Sequence, residues 1–77
     1  MEKELIEFIA KKLVDDPNQV DVKMVEGEKS IVIELRTARE DIGKVIGKQG
    51  RIAKAIRTLL SAVSVKTGKH AILEIID

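Results

Sequence analysis

Glu40-Asp41-Ile42-Gly43-Lys44-Val45-Ile46-Gly47-Lys48-Gln49-Gly50-Arg51-Ile52 is the stretch that decides how this chain folds. At its centre is a Gly-x-x-Gly turn, Gly47 to Gly50, with helix-forming sequence on both sides. Glycine at both ends lets a sugar–phosphate backbone approach without Cβ obstruction. A helix beginning at Arg51 would turn its free amides and positive dipole end toward the same phosphates. Lys48 and Arg51 add charge that pairs with phosphate oxygens, and Gln49 adds hydrogen bonds. Between Ile42 and Leu73 there is no acidic residue, while Lys44, Lys48, Arg51, Lys54, Arg57, Lys66 and Lys69 bring that segment to +7. Residues 1–41 carry −4, and the whole chain only +1. A lone Gly-x-x-Gly is more often a helix corner whose glycines serve packing. With the positive charge concentrated around it, the turn reads instead as a nucleic-acid backbone site.

Working outward, the apolar periodicity predicts a helix over 2–15, with Leu5, Ile6, Ile9 and Leu13 on one stripe widened by Phe8 and Val14. Pro17 stops it. Val20, Val22 and Met24 alternate with Asp21, Lys23 and Val25 as in a half-buried strand. After the turn at Glu26-Gly27-Glu28-Lys29, a second strand runs from Ser30 to Arg36, and the short connection predicts an antiparallel hairpin. Thr37-Ala38-Arg39-Glu40 fits a capping box for a short helix over about 39–46. A longer helix follows from Arg51 to about Lys66, its stripe Ile52, Ile56, Leu59, Leu60 and Val63, with Arg51, Lys54 and Arg57 close together on another face. Gly68 suits the left-handed residue that ends it. His70 to Ile76, apolar on both alternations, predicts a strand buried on part of each face. Three helices on one face of a three-stranded mixed sheet, in the order α-β-β-α-α-β and with the second strand central, make an α+β sandwich of one domain, residues 1–77.

Composition narrows the function. No cysteine means no disulfide, thiolate metal site or cysteine nucleophile. No apolar run approaches the roughly 20 residues that span a bilayer, and the N-terminus lacks signal-peptide character, so no membrane insertion and a cytoplasmic location are expected. Gly43 to Gln49 has only a superficial likeness to a nucleotide-binding P-loop. Three residues instead of four separate its glycines, and Gln49 stands where the magnesium-binding hydroxyl belongs. His70, the sole histidine, has no second imidazole or cysteine to make a metal site. Ser61 and Ser64 are expected to be structural, and Phe8 to be a core residue. No enzyme activity, cofactor or metal is expected.

The thirteen-residue run and the element order together resemble the KH domain family, type II, over essentially the whole chain. Val45 to Gly50 is similar to that family's Ile-Gly-x-x-Gly signature, whose loop clamps the backbone of about four single-stranded nucleotides. The resemblance extends to small bacterial proteins that consist of a single KH domain. It implies that Gly47, Lys48, Gln49 and Gly50 form the clamp, with Lys44, Arg51 and Lys54 as flanking charge. Ile42, Ile46 and Ile52 would line or support an apolar base groove whose other wall is the central strand. Lys66 to Lys69 would be the variable loop. It further implies single-stranded RNA as ligand, an RNA-chaperone or post-transcriptional role, and a link to cell-envelope and cell-length control. The partners it implies are a second copy or a larger RNA-binding protein with its own KH domain.

The residues themselves add a limit. No aromatic lies near the turn, and stacking contributes roughly 1–3 kcal/mol per base where it exists. A single copy is therefore expected to bind weakly, through salt-sensitive phosphate contacts or with help from a second domain. The rival expectation is a protein-interaction module, with Ala53, Ala62, Val63 and Val65 of the long helix as an apolar patch and RNA contact secondary. Nothing in the residues alone distinguishes RNA from single-stranded DNA.

Overall fold

The computed structural model describes residues 2–76. Helix α1 spans Glu2–Leu13, with Glu2 and Glu4 in its first turn and Lys11 and Lys12 in its last, the charge order its dipole favours. It stops two residues before the expected end, and a 3₁₀ turn at Pro17–Gln19 leads into β1, Asp21–Glu26. Strand β2 is Ser30–Arg36, α2 is Ile42–Ile46, α3 is Arg51–Thr67 and β3 is His70–Ile76. The sheet order is β1-β2-β3, with β1 antiparallel and β3 parallel to the central β2. Element order, mixed sheet and central strand are those expected of a type II KH fold.

The period-two alternation of β2 buries Ile31, Ile33 and Leu35 beneath the helices. Register extends this inner face to Val22 on β1 and Leu73 on β3. From the helices come Ile6 and Ala10 of α1, Val45 of α2, and Ala53, Ile56 and Leu60 of α3. Gly68 ends α3 in the left-handed conformation (φ 77°), its N–H donating to the Ser64 carbonyl at 2.9 Å.

Several local expectations fail for tertiary reasons. Phe8 is 62% exposed and lies beneath the Lys12 ammonium, 5.4 Å from the ring centroid. It sits two residues from the fully buried Ile6, on the opposite side of α1. The capping box does not form: the Thr37 hydroxyl donates to the adjacent Ala38 carbonyl at 2.9 Å, and Arg39–Asp41 is a 3₁₀ turn that shortens α2 to five residues. The helices cover one face of the sheet, so Ile72 on the opposite face of β3 is left partly exposed. Ala53, expected on a partner surface, belongs to the core and is 2% exposed. No helix among the described residues is long and apolar enough to cross a membrane.

Candidate nucleic-acid interface

The Gly-x-x-Gly segment folds as a tight 3₁₀ turn between α2 and α3. Gly47 adopts φ 79° and ψ 171°, a region open essentially to glycine alone. Gln49 (φ 58°) and Gly50 (φ 73°) are both left-handed. The turn is closed by backbone bonds from Gly47 N–H to Gly43 O and from Gly50 N–H to Gly47 O, at 2.9 and 3.0 Å. Arg51 N–H returns to Lys48 O, and no side chain caps the start of α3. The two glycines do different work. A Cβ on Gly47 would lie 2.6 Å from Cγ1 and 2.9 Å from Cβ of Ile52, whereas one on Gly50 would meet nothing within 4 Å. Gly47 thus serves the packing of Ile52, while Gly50 supplies handedness at an open surface.

Lys48, Gln49, Arg51 and Lys54 are exposed around this turn. The remaining expected cations separate into two groups. Lys44 is exposed but engaged in ion pairs, its ammonium 3.0 Å from Asp15 and 3.3 Å from Asp41. The Asp15 carboxylate, and then Asp41, raise the Lys44 pKa above the ordinary lysine value. Lys69 is likewise paired with Glu26 across the sheet end. Lys48, Arg51, Lys54, Arg57 and Lys66 make no ion pair among the described residues. Four of these five lie on the turn or the first two turns of α3.

The anchor at the start of α2 is Asp41, a buried carboxylate that accepts the Asp16 N–H at 3.0 Å and the Lys44 ammonium. Burial alone would raise its pKa. The Asp16 and Asp15 backbone N–H groups and Lys44 outweigh burial and hold it below the ordinary carboxylate value. Its contribution to stability is therefore present above the unfolded-chain pKa of about 4 and is lost as pH falls through the lower folded value. Asp41→Asn should melt lower than the parent at pH 7 and should lose less stability on acidification below about pH 4. Thermal melts at neutral and acid pH check both; parallel profiles for the two proteins would count against the assignment.

The expected groove is relocated. Ile31, Ile33 and Leu35 of the central strand lie wholly beneath the helices, so β2 cannot be an exposed wall. An open cleft of about 250 Å³ lies instead between α3 and the edge strand β3, lined by Arg57, Ser61, His70, Ala71, Ile72 and Leu73. Gly50, Lys54, Arg57 and Ser61 follow at i, i+4, i+7 and i+11, so one face of α3 leads from the turn into the cleft. Ser64 fixes the spacing of α3 and β3, accepting the Ala71 N–H at 2.8 Å and donating to the Leu60 carbonyl at 3.1 Å. Ile46 is 37% exposed beside the turn, Ile42 is half-buried, and Ile52 packs chiefly against the core. Reading the sequence missed Ser61 and His70 as cleft residues. The only available signal was their helical and strand phase relative to Arg57. No group of three or more His, Cys, Asp or Glu side chains that could hold a metal occurs among the described residues.

The family model for the KhpA/KhpB KH domain matches residues 3–75. The chain belongs to the KhpA/KhpB KH-domain family. It is 61% identical to the RNA-binding protein KhpA of Clostridium acetobutylicum over 74 residues, covering 96% of this chain and 99% of that protein. It is also 53% identical to the RNA-binding protein KhpA of Aquifex aeolicus, covering 97% and 95% of the two chains. Among solved structures it resembles Era, crystallised with MgGDPNP and nucleotides 1506–1542 of 16S ribosomal RNA. That match has a TM-score of 0.60 and 26% identity, and spans 96% of this chain but only 28% of the Era chain. The family is one of RNA-binding proteins, not of enzymes.

Proposed function

We propose that this protein binds single-stranded RNA, with the Gly47–Gly50 turn clamping the sugar–phosphate backbone and the bases directed toward the α3–β3 cleft. The observation that carries this is the division of charge: of the five cations between Ile42 and Leu73 that make no ion pair among the described residues, four, Lys48, Arg51, Lys54 and Arg57, lie on the turn and on the first two turns of α3. Lys44 acts indirectly, by holding the start of α2 against the loop that follows α1. Ile46 offers apolar contact beside the clamp, and Ile52 supports it from below. The names of the KhpA relatives and the RNA in the Era complex support RNA over single-stranded DNA. In the same proposal the protein works in the cytoplasm as an RNA chaperone or post-transcriptional regulator, linked through family resemblance to cell-envelope and cell-length control.

Phosphate contacts make binding salt-dependent. Four cations on a single strand give a slope of log K against log salt near −3, from about 0.7 per phosphate contacted. Anisotropy titrations of a labelled single-stranded RNA at several salt concentrations check this; a flat profile removes phosphates as the main contact. A second reading, a dimerisation module, draws on α3: Val65 is 88% exposed, with Ala62 also at the surface. A second copy or a KhpB-type KH protein docked there would raise RNA affinity through effective concentration. Sedimentation across a concentration series tests self-association, and a strictly monomeric species counts against the homodimer.

A further inference from the structure

The Gly47–Gly50 turn has two stems of very different strength. Behind it, α3 runs for 17 residues and is secured by the buried Ala53, Ile56 and Leu60. Ahead of it, α2 has only five residues, one buried side chain, Val45, and no side-chain cap. That is well below the roughly 12–15 residues at which a helix begins to hold itself together in water. The backbone bond from Gly47 N–H to Gly43 O nevertheless closes the turn onto this short stem. Where the turn stands relative to α3 therefore depends on what holds α2 in place.

Asp41, immediately before α2, is 2% exposed and is the one buried charged side chain among the described residues. Its carboxylate joins two parts of the fold. Oδ2 accepts the Asp16 N–H at 3.0 Å, and Oδ1 accepts the Lys44 ammonium at 3.3 Å. Lys44 extends the link to the Asp15 carboxylate, 3.0 Å away. Asp15 and Asp16 lie in the loop that follows α1, and α1 is itself fixed in the core by Ile6 and Ala10. A buried ion pair seldom adds more stability than well-packed apolar side chains in its place. What these three directed contacts add is a fixed geometry, which the packing of Val45 alone does not give.

We propose that Asp41 is the positioning residue of the RNA clamp, locking α2 to the end of α1 so that Lys48 and Gln49 stay aligned with Arg51 and Lys54. The proposal rests on the Gly47–Gly50 turn acting as the clamp. Asp41 touches no RNA. Its effect reaches the ligand only through the placement of the turn.

Asp41→Asn keeps an acceptor for the Asp16 N–H but removes the charge that holds Lys44. Affinity for a labelled single-stranded RNA is measured at a temperature at which every variant is folded. It should fall about tenfold, as expected when the turn is correctly placed about a tenth of the time. The slope of log K against log salt should stay that of the parent, because the same cations meet phosphate. Ile33→Val, buried at the centre of β2, lowers stability without touching the tie and should bind as the parent does. Hydrogen exchange gives a second readout: the Gly47 and Gly50 N–H groups should lose protection relative to β2 amides in Asp41→Asn but not in Ile33→Val. If Asp41→Asn does not fold, Lys44→Gln, altered at an exposed side chain, carries the same exchange test. Parental affinity in Asp41→Asn, with binding lost in Lys48→Asp/Gln49→Asp, overturns the positioning role and leaves the clamp standing. Parental affinity in both removes the clamp itself. Tighter binding by Asp41→Asn would mean that Asp41 merely withholds Lys44 from RNA, and equal losses in Asp41→Asn and Ile33→Val would trace the effect to global stability; either result overturns the proposal.

Discussion

Gly47→Ala should unfold this domain or nearly so, while Gly50→Ala, three residues away in the same motif, should leave it folded. Two costs coincide at Gly47. Its φ of 79° with ψ of 171° is a glycine-only conformation, worth roughly 1–3 kcal/mol in strain for any other residue. The added methyl would also meet Ile52, and rotating that side chain cannot relieve the contact, because Ile52 Cβ itself lies 2.9 Å away. Overpacking of this kind typically costs another 1–3 kcal/mol. Together they take a large share of the roughly 4–12 kcal/mol that holds a domain of this length folded. At Gly50 only the left-handed conformation is penalised, by about 1–2 kcal/mol, since its Cβ direction is open. Thermal melts should therefore place Gly50→Ala about 4–16 °C below the parent and Gly47→Ala, which carries both costs, roughly two to three times further below it. A Gly47→Ala protein melting within a few degrees of the parent would contradict the assignment of this glycine to packing.

The complementary result is expected from Lys48→Asp combined with Gln49→Asp: RNA binding lost with the fold unchanged. Both side chains are exposed, and neither makes a side-chain hydrogen bond or ion pair among the described residues. Gln49 is left-handed, a conformation aspartate tolerates better than most residues. The new carboxylates sit before the start of α3, where the helix dipole favours negative charge. The melting temperature should therefore stay close to that of the parent. For RNA, the pair of substitutions changes the local charge by three and replaces donors with acceptors facing phosphate. Hydrogen bonds to charged groups contribute about 1.5–3 kcal/mol each. Losing two of them amounts to roughly a hundredfold or more in affinity. An electrophoretic shift with single-stranded RNA measures this directly, and parental affinity in the double variant would eliminate the clamp.

Much of this architecture was legible in the order of residues because its signals are local. Alternation over Ser30 to Arg36, the stripe Ile52–Ile56–Leu60, the break at Gly47 and the stop at Gly68 each depend on neighbours within a helical turn or along a strand. They fix the elements, and the four-residue hairpin and long crossover then fix how the strands pair. The capping box at Thr37 is one place where local inference failed: the chain forms a 3₁₀ turn there, with Asp41 buried against the Asp16 backbone.

The Gly-x-x-Gly turn and the excess of positive charge around it were determined by sequence alone. Which of those charges remain available was decided by the tertiary structure. Lys69 meets an acid 43 residues away, and the backbone of Asp16 meets a carboxylate 25 residues away. Lys44 is drawn into that second contact through Asp15 and Asp41. Such pairings exist only once α1, the hairpin and α2 are packed, so no count of charges along the chain reveals them. The same holds for the cleft beside His70, which forms where α3 crosses the edge strand, and for the partner that Gly47 makes room for. Sequence periodicity assigns each residue to a face; only packing decides what that face meets.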